Sequence, residues 1–226
     1  GKVILIDQTK LPLKEEFIET DDYEIVCEAI YRLSIRGAPA IGVAGAYACV
    51  LAANKIDIED VEKFIEEFIN VSKKIASTRP TAINLIWAVR QMTERARNFS
   101  GDVNILKKEL LELANFIKED DIRRCHQLSL YGSELIPNDS NVITICNTGG
   151  LATSGIGTAL GVIQYAHAIG KSLTVYVSET RPLLQGSRLN TWELKRTNTP
   201  FKLMTDNMAA RIMKEKFNVS NPKAMM

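Results

Sequence analysis

The chain has 226 residues, 46% hydrophobic and 24% charged, enough for one large domain or two smaller ones. Its 28 basic and 27 acidic residues leave a formal charge of +1, so no net field draws it to nucleic acid or an anionic membrane. No apolar run is long enough to span a bilayer, no signal peptide is expected, and Cys27, Cys49, Cys125 and Cys146 lack Cys-x-x-Cys spacing, which reads as reduced thiols of a cytoplasmic protein.

Residues 2–7 read as a strand, followed by a turn over 8–12. From Asp22, the apolar positions Tyr23, Val26, Cys27, Ile30 and Leu33 follow helical spacing, with Cys27 a small core residue on that stripe. Residues 40–53 form a helix of mostly Ala, Gly, Val and Ile, expected to be buried, and Cys49 belongs to it. An amphipathic helix covers 58–75 with Asp57 as its N-cap, helix resumes over 82–98, and a long helical pattern runs from 103 to 132. After Pro137-Asn138-Asp139-Ser140 the period changes. Strands at 141–146, 173–177 and 201–205 alternate with helices at 151–169, 187–196 and 207–216, the pattern of a parallel sheet. The expected fold class is α/β: a mainly helical domain over 1–138 with a short leading strand, then a parallel-sheet domain over 139–226.

Two helix starts carry an arginine. In Arg36-Gly37-Ala38-Pro39-Ala40, glycine frees the backbone and proline favours the first helical turn. Free N–H groups at a helix start bind anions, and a guanidinium grips a phosphate with two hydrogen bonds. Thr78-Arg79-Pro80-Thr81 repeats the design. The alternative for each is a plain turn with a solvated arginine.

Cys146 closes the apolar run Val142–Cys146, and the polar, glycine-rich Asn147-Thr148-Gly149-Gly150 follows. Ligands of open α/β sheets sit beyond the carboxyl ends of strands. A following helix would stabilise a thiolate there, although free cysteine is often simply buried. Gly155-x-Gly157 with Glu179 loosely suggests a dinucleotide fingerprint, but the glycines come late, inside the expected helix. His126 and His167 show neither metal-ligand spacing nor a place beside the cysteine. The second strand end carries Glu179-Thr180-Arg181, and the third carries Thr205-Asp206-Asn207, where Asp206 reads as a helix cap.

The chain resembles methylthioribose-1-phosphate isomerases over about Val3 to Lys216. Their superfamily also holds ribose-1,5-bisphosphate isomerases and the regulatory subunits of the translation-initiation guanine-nucleotide exchange factor. The resemblance rests on Arg36-Gly-Ala-Pro-Ala-Ile-Gly-Val, Arg79-Pro-Thr-Ala-Ile-Asn84, Cys146-Asn-Thr-Gly-Gly-Leu-Ala-Thr, Glu179-Thr-Arg-Pro-Leu-Leu-Gln-Gly-Ser-Arg188 and Thr205-Asp-Asn-Met-Ala-Ala210. It implies a Rossmann-like sheet domain that stops short. It implies that Arg36, Gly37, Ala38 and Arg79 hold a sugar phosphate, that Gln185 contacts it, and that Cys146 assists the transition state or shuttles protons. The implied reaction is an aldose–ketose isomerisation in methionine salvage, by a homodimer, with no metal or organic cofactor and no nucleic-acid or membrane partner.

Two departures stand out. Ile145 replaces a histidine that usually precedes the cysteine. The family continues into a Gly-Ala-Asp-Arg strand carrying the general acid, whereas this chain runs through Pro222 to Met226. The resemblance leaves open a fragment of a full isomerase, a natural short form that has lost catalysis, or a separate chain that supplies the missing strands; the alternative functions are a non-catalytic regulatory subunit and a ribose-1,5-bisphosphate isomerase.

Overall fold

The computed structural model describes residues 1–216, so the final run through Pro222 lies outside the described residues. Two compact units are present: Gly1–Lys10 with Glu15–Asp121, and Leu11–Lys14 with Ile122–Met226. The division falls inside a long helix, earlier than the 137–140 turn where the periodicity changes.

In the first unit, β1 (Val3–Ile6) pairs antiparallel with β2 (Phe17–Thr20), with Val3 opposite Thr20. The sequence reading missed β2, which is short and ringed by charged residues. Helix α1 (Tyr23–Tyr31) starts at Asp22, whose side chain accepts the Glu24 N–H at 2.9 Å. Leu33 lies beyond α1 in the left-handed region (φ 64°), so it does not continue the helical stripe.

Helix α2 (Ala38–Lys55) is buried from Ala40 to Ala46 and from Ala48 to Ala53. Its small residues let neighbours approach on every side, as its composition predicts. Helix α3 (Val61–Ser77) is capped by Asp60, not Asp57: the Asp60 carboxylate accepts the Lys63 N–H at 2.9 Å. Ile58 packs on the core from outside the helix. Helices α4 (Ile83–Arg97) and α5 (Val103–Glu134) complete the set, and Asp102 accepts the Asn104 N–H at the start of α5. Phe64 and Phe68 are fully buried and stack with centroids 6.3 Å apart. Each such side chain contributes about 2–3 kcal/mol by leaving water.

The second unit contains a parallel sheet of β3 (Ser140–Thr144), β4 (Leu173–Ser178) and β5 (Phe201–Met204), in that spatial order. Ser140 pairs with Leu173, and Val175 with Phe201. Alternation sorts the strands onto two faces. Val142, Val175 and Val177 pack with α6 (Ala159–Ala168) and Leu194 of α7 (Thr191–Arg196). Ile143, Tyr176 and Met204 face the other way, against α8 (Ala209–Lys216).

The expected helix over 151–169 is shorter. A single 3-10 turn at Gly150–Ala152 is followed by irregular chain until α6 begins at Ala159. Gly155 and Gly157 therefore precede the helix, and Gly157 bridges back to Gly149. The 187–196 helix begins as a π-wound turn, Gly186–Asn190, and continues as α7.

Candidate functional site

In the helical unit, both arginine motifs sit at helix starts. Gly37 adopts φ 100°, which a side chain disfavours, and turns the chain into α2 with Pro39 in the first turn. No side chain caps this start, and the N–H groups of a helix's first turn are suited to an anion. Arg36 and Gly37 are half-buried and Ala38 is exposed. Arg79 lies in the loop before α4, where its carbonyl accepts the Ala82 N–H at 2.9 Å.

The two starts lie at the same end of the unit because α2 and α4 pack closely in parallel. A Cβ on Gly42 would lie 3.0 Å from the Asn84 carbonyl oxygen, and one on Gly45 would collide with Leu85. The helix dipoles therefore point their positive ends in one direction, with Arg36 and Arg79 beside them.

In the sheet unit, Cys146 does not end the strand. The ladder stops at Thr144, Ile145 is 59% exposed, and Cys146 follows in the left-handed region with φ 74°. Nor does a helix begin directly after it, so no helix dipole acts there. Cys146 is exposed, and its Sγ lies 3.8 Å from Nε2 of Gln185, which donates to it. The structure thus brings these two expected residues together. Oε1 of Gln185 is buried and has no hydrogen-bond partner among the described residues.

A chain of hydrogen bonds joins the three strand ends. Asp206, after β5, accepts from the Ser178 hydroxyl and from the Thr180 and Arg181 N–H groups, both at 2.8 Å. These bonds hold its carboxyl below the usual range, the Ser178 hydroxyl first among them. Asp206 is therefore not a simple helix cap. Thr180, itself at φ 60°, accepts the Cys146 N–H through Oγ1 at 2.9 Å.

The segment after Cys146 is held from another side. Buried Asn190 donates to the Cys146 carbonyl at 2.9 Å and accepts the Thr148 N–H at 3.3 Å. Glu193, 9% exposed, accepts the Gly150 N–H at 2.7 Å and the Leu151 N–H at 3.3 Å. Burial pushes its carboxyl up to about 7, against the lowering effect of those two bonds.

Sequence reasoning placed Thr180 and Asp206 at strand ends without their bonds, and missed Asn190 and Glu193. A usable signal was present for the latter two: Asn190 and Glu193 stand three residues apart, each next to a leucine, Leu189 or Leu194. Cys49 is core as expected: it is fully buried beside Ser72, and burial raises its thiol to about 12. Cys27 is half-buried against the same core. Among the described residues no group of three or more His, Cys, Asp or Glu is placed to hold a metal ion, and no helix is long and apolar enough to cross a membrane.

Known proteins resemble almost the whole chain. Methylthioribose-1-phosphate isomerase of Desulforamulus reducens is 46% identical over 213 residues, covering 94% of this chain and 62% of that protein. The same-named protein of Geobacter metallireducens is 47% identical over 214 residues, again with 94% and 62% covered. The crystal structure of 5-methylthioribose 1-phosphate isomerase from Pyrococcus horikoshii superposes with TM-score 0.89 at 33% identity, covering 95% of this chain and 60% of that one. The structure of translation initiation factor eIF-2B subunit delta from A. fulgidus gives TM-score 0.83 at 41% identity, covering 94% and 62%. This chain thus spans under two thirds of the length of these relatives. A model of the Initiation factor 2 subunit family matches residues 34–221, and the chain belongs to that family.

Proposed function

We propose that this chain carries the phosphate-binding and thiol-bearing parts of an aldose–ketose isomerase acting on 5-methylthioribose 1-phosphate. The observation that carries the reading is the Cys146 thiol beside Gln185, whose Oε1 has no hydrogen-bond partner among the described residues. Similarity to the named isomerases across 94% of the chain supports it. In this reading Arg36, Arg79 and the Gly37-Ala38 turn bind the phosphate through charge-assisted bonds and helix N–H groups.

The phosphate on C1 blocks simple opening of the sugar ring. The reaction must protonate the ring oxygen, move hydrogen from C2 to C1, and leave a carbonyl at C2. A proton shuttle within hydrogen-bond reach lowers that barrier, and Cys146 takes this role. The protein works as a homodimer in this reading.

Calorimetric titration of the chain with methylthioribose 1-phosphate tests the proposal. Binding is expected, with Arg36→Ala weakening it about a hundredfold through loss of charge-assisted bonds. Absence of binding, or tighter binding of ribose 1,5-bisphosphate, overturns the substrate assignment. A second reading, a non-catalytic regulatory subunit, draws on the 41% identity to the A. fulgidus protein. Co-purification with heterologous subunits, without phosphosugar binding, would favour it.

A further inference from the structure

The backbone from Cys146 to Leu151 belongs to no sheet ladder, although the carbonyls of Thr148, Gly149 and Gly150 accept backbone N–H groups. Side chains distant in sequence bond several of its other polar groups. Thr180 takes the Cys146 N–H, Asn190 takes the Cys146 carbonyl and the Thr148 N–H, and Glu193 takes the Gly150 and Leu151 N–H groups. Asn190 and Glu193 are three residues apart, the spacing that places two side chains on one face of a helix. Asn190 is fully buried and Glu193 nearly so, which keeps water from replacing these bonds. Gly149 completes the fit, because a Cβ there would collide with the Glu193 carboxylate.

We infer that Asn190 and Glu193 are positioning residues: together they hold the turn after β3 in its left-handed course and thereby set the direction and reactivity of the Cys146 thiol. The thiol then sits where Gln185 Nε2 donates to it. Released from Asn190 and Glu193, Cys146 drifts from that donor toward backbone shapes that side chains prefer. The inference takes its catalytic meaning from the isomerase reading, but thiol reactivity tests it independently.

The experiment compares iodoacetamide alkylation of Cys146, resolved by peptide mass spectrometry at about pH 8, where Glu193 is mostly ionised. The proteins are the wild-type chain, Glu193→Gln, Asn190→Asp and Gly149→Ala. Asn190→Asp removes the donor to the Cys146 carbonyl while keeping an acceptor for Thr148. Gly149→Ala drives the turn off an intact Glu193, so the question survives if a Glu193 variant fails to fold.

Alkylation of Cys146 is expected to slow about tenfold in folded variants, while Cys27 keeps its wild-type rate. Amide exchange at Gly150 and Leu151 should accelerate in the Glu193 and Gly149 variants. Lower melting temperatures with an unchanged Cys146 rate would reduce both residues to structural supports and overturn the inference. Slowed alkylation without phosphosugar binding keeps the positioning role and sinks the isomerase reading. Unchanged alkylation alongside phosphosugar binding does the reverse.

Discussion

The two units present their candidate residues by opposite means. In the helical unit, Arg36 and Arg79 sit on short loops whose placement comes from apolar packing, with α2 and α4 in close parallel contact at Gly42 and Gly45. In the sheet unit, Cys146 sits on an irregular turn held by polar bonds from Thr180, Asn190, Glu193 and, through Thr180, Asp206. The first arrangement rests on apolar contacts, which carry no titrating group. The second contains a carboxyl pushed up to about 7 and so responds to pH. Packing fixes where a long side chain starts, whereas hydrogen bonding fixes the backbone that carries a short one.

The largest effect that separates the two is the pH dependence of stability. Glu193 is moved from an ordinary 4.5 up to about 7 because burial disfavours its charge. The folded state therefore prefers the protonated form. The associated stabilisation is complete below pH 4.5, is lost as pH rises through the folded value, and is absent above it. The full swing is about 3 kcal/mol. Urea unfolding at the two ends of this window should show the wild type losing about that much more stability than Glu193→Gln. Equal losses in both proteins would remove Glu193 as the source.

Next comes the packing side. Gly45→Ala should destabilise the helical unit by about 2 kcal/mol, because the new methyl group meets fully buried Leu85. The melt should show this at any pH, and a pH-dependent loss would blur the contrast between the units. The smallest effect is expected from Thr180→Val. It removes the acceptor for the Cys146 N–H while keeping side-chain shape, at a cost of about 1 kcal/mol. A melting temperature equal to the wild type's would mean that the strand ends are not linked through this hydroxyl.

The same contrast governs what the sequence discloses. The helical unit was largely readable because its signals are local: the helical spacing from Tyr23 to Ile30, the small-residue stripe of α2, and the Gly-Ala-Pro start at residues 37–39. Its misreadings were local too, as with Asp60 displacing Asp57 as the cap of α3. The three parallel strands were read within two residues at each end. What was not legible is the polar wiring. Asp206 looked like a cap because aspartate before a helix usually is one, yet it bonds to Ser178, Thr180 and Arg181. Glycines 155 and 157 looked helical from the apolar residues beyond them, but the chain first turns back to bridge Gly149 and Gly157. Gln185 and Cys146 were each singled out, and only the folded rim shows that they touch.

The left-handed backbone at Cys146 has a consequence for substitution. Glycine and asparagine suit that conformation better than cysteine does, and threonine or valine suits it worse. Position 146 is therefore a place where the chain retains a thiol at some expense to its own backbone. Replacements there sort along two independent axes, chemical capability and conformational ease, and the side chain with the desired chemistry is not the one the main chain would choose.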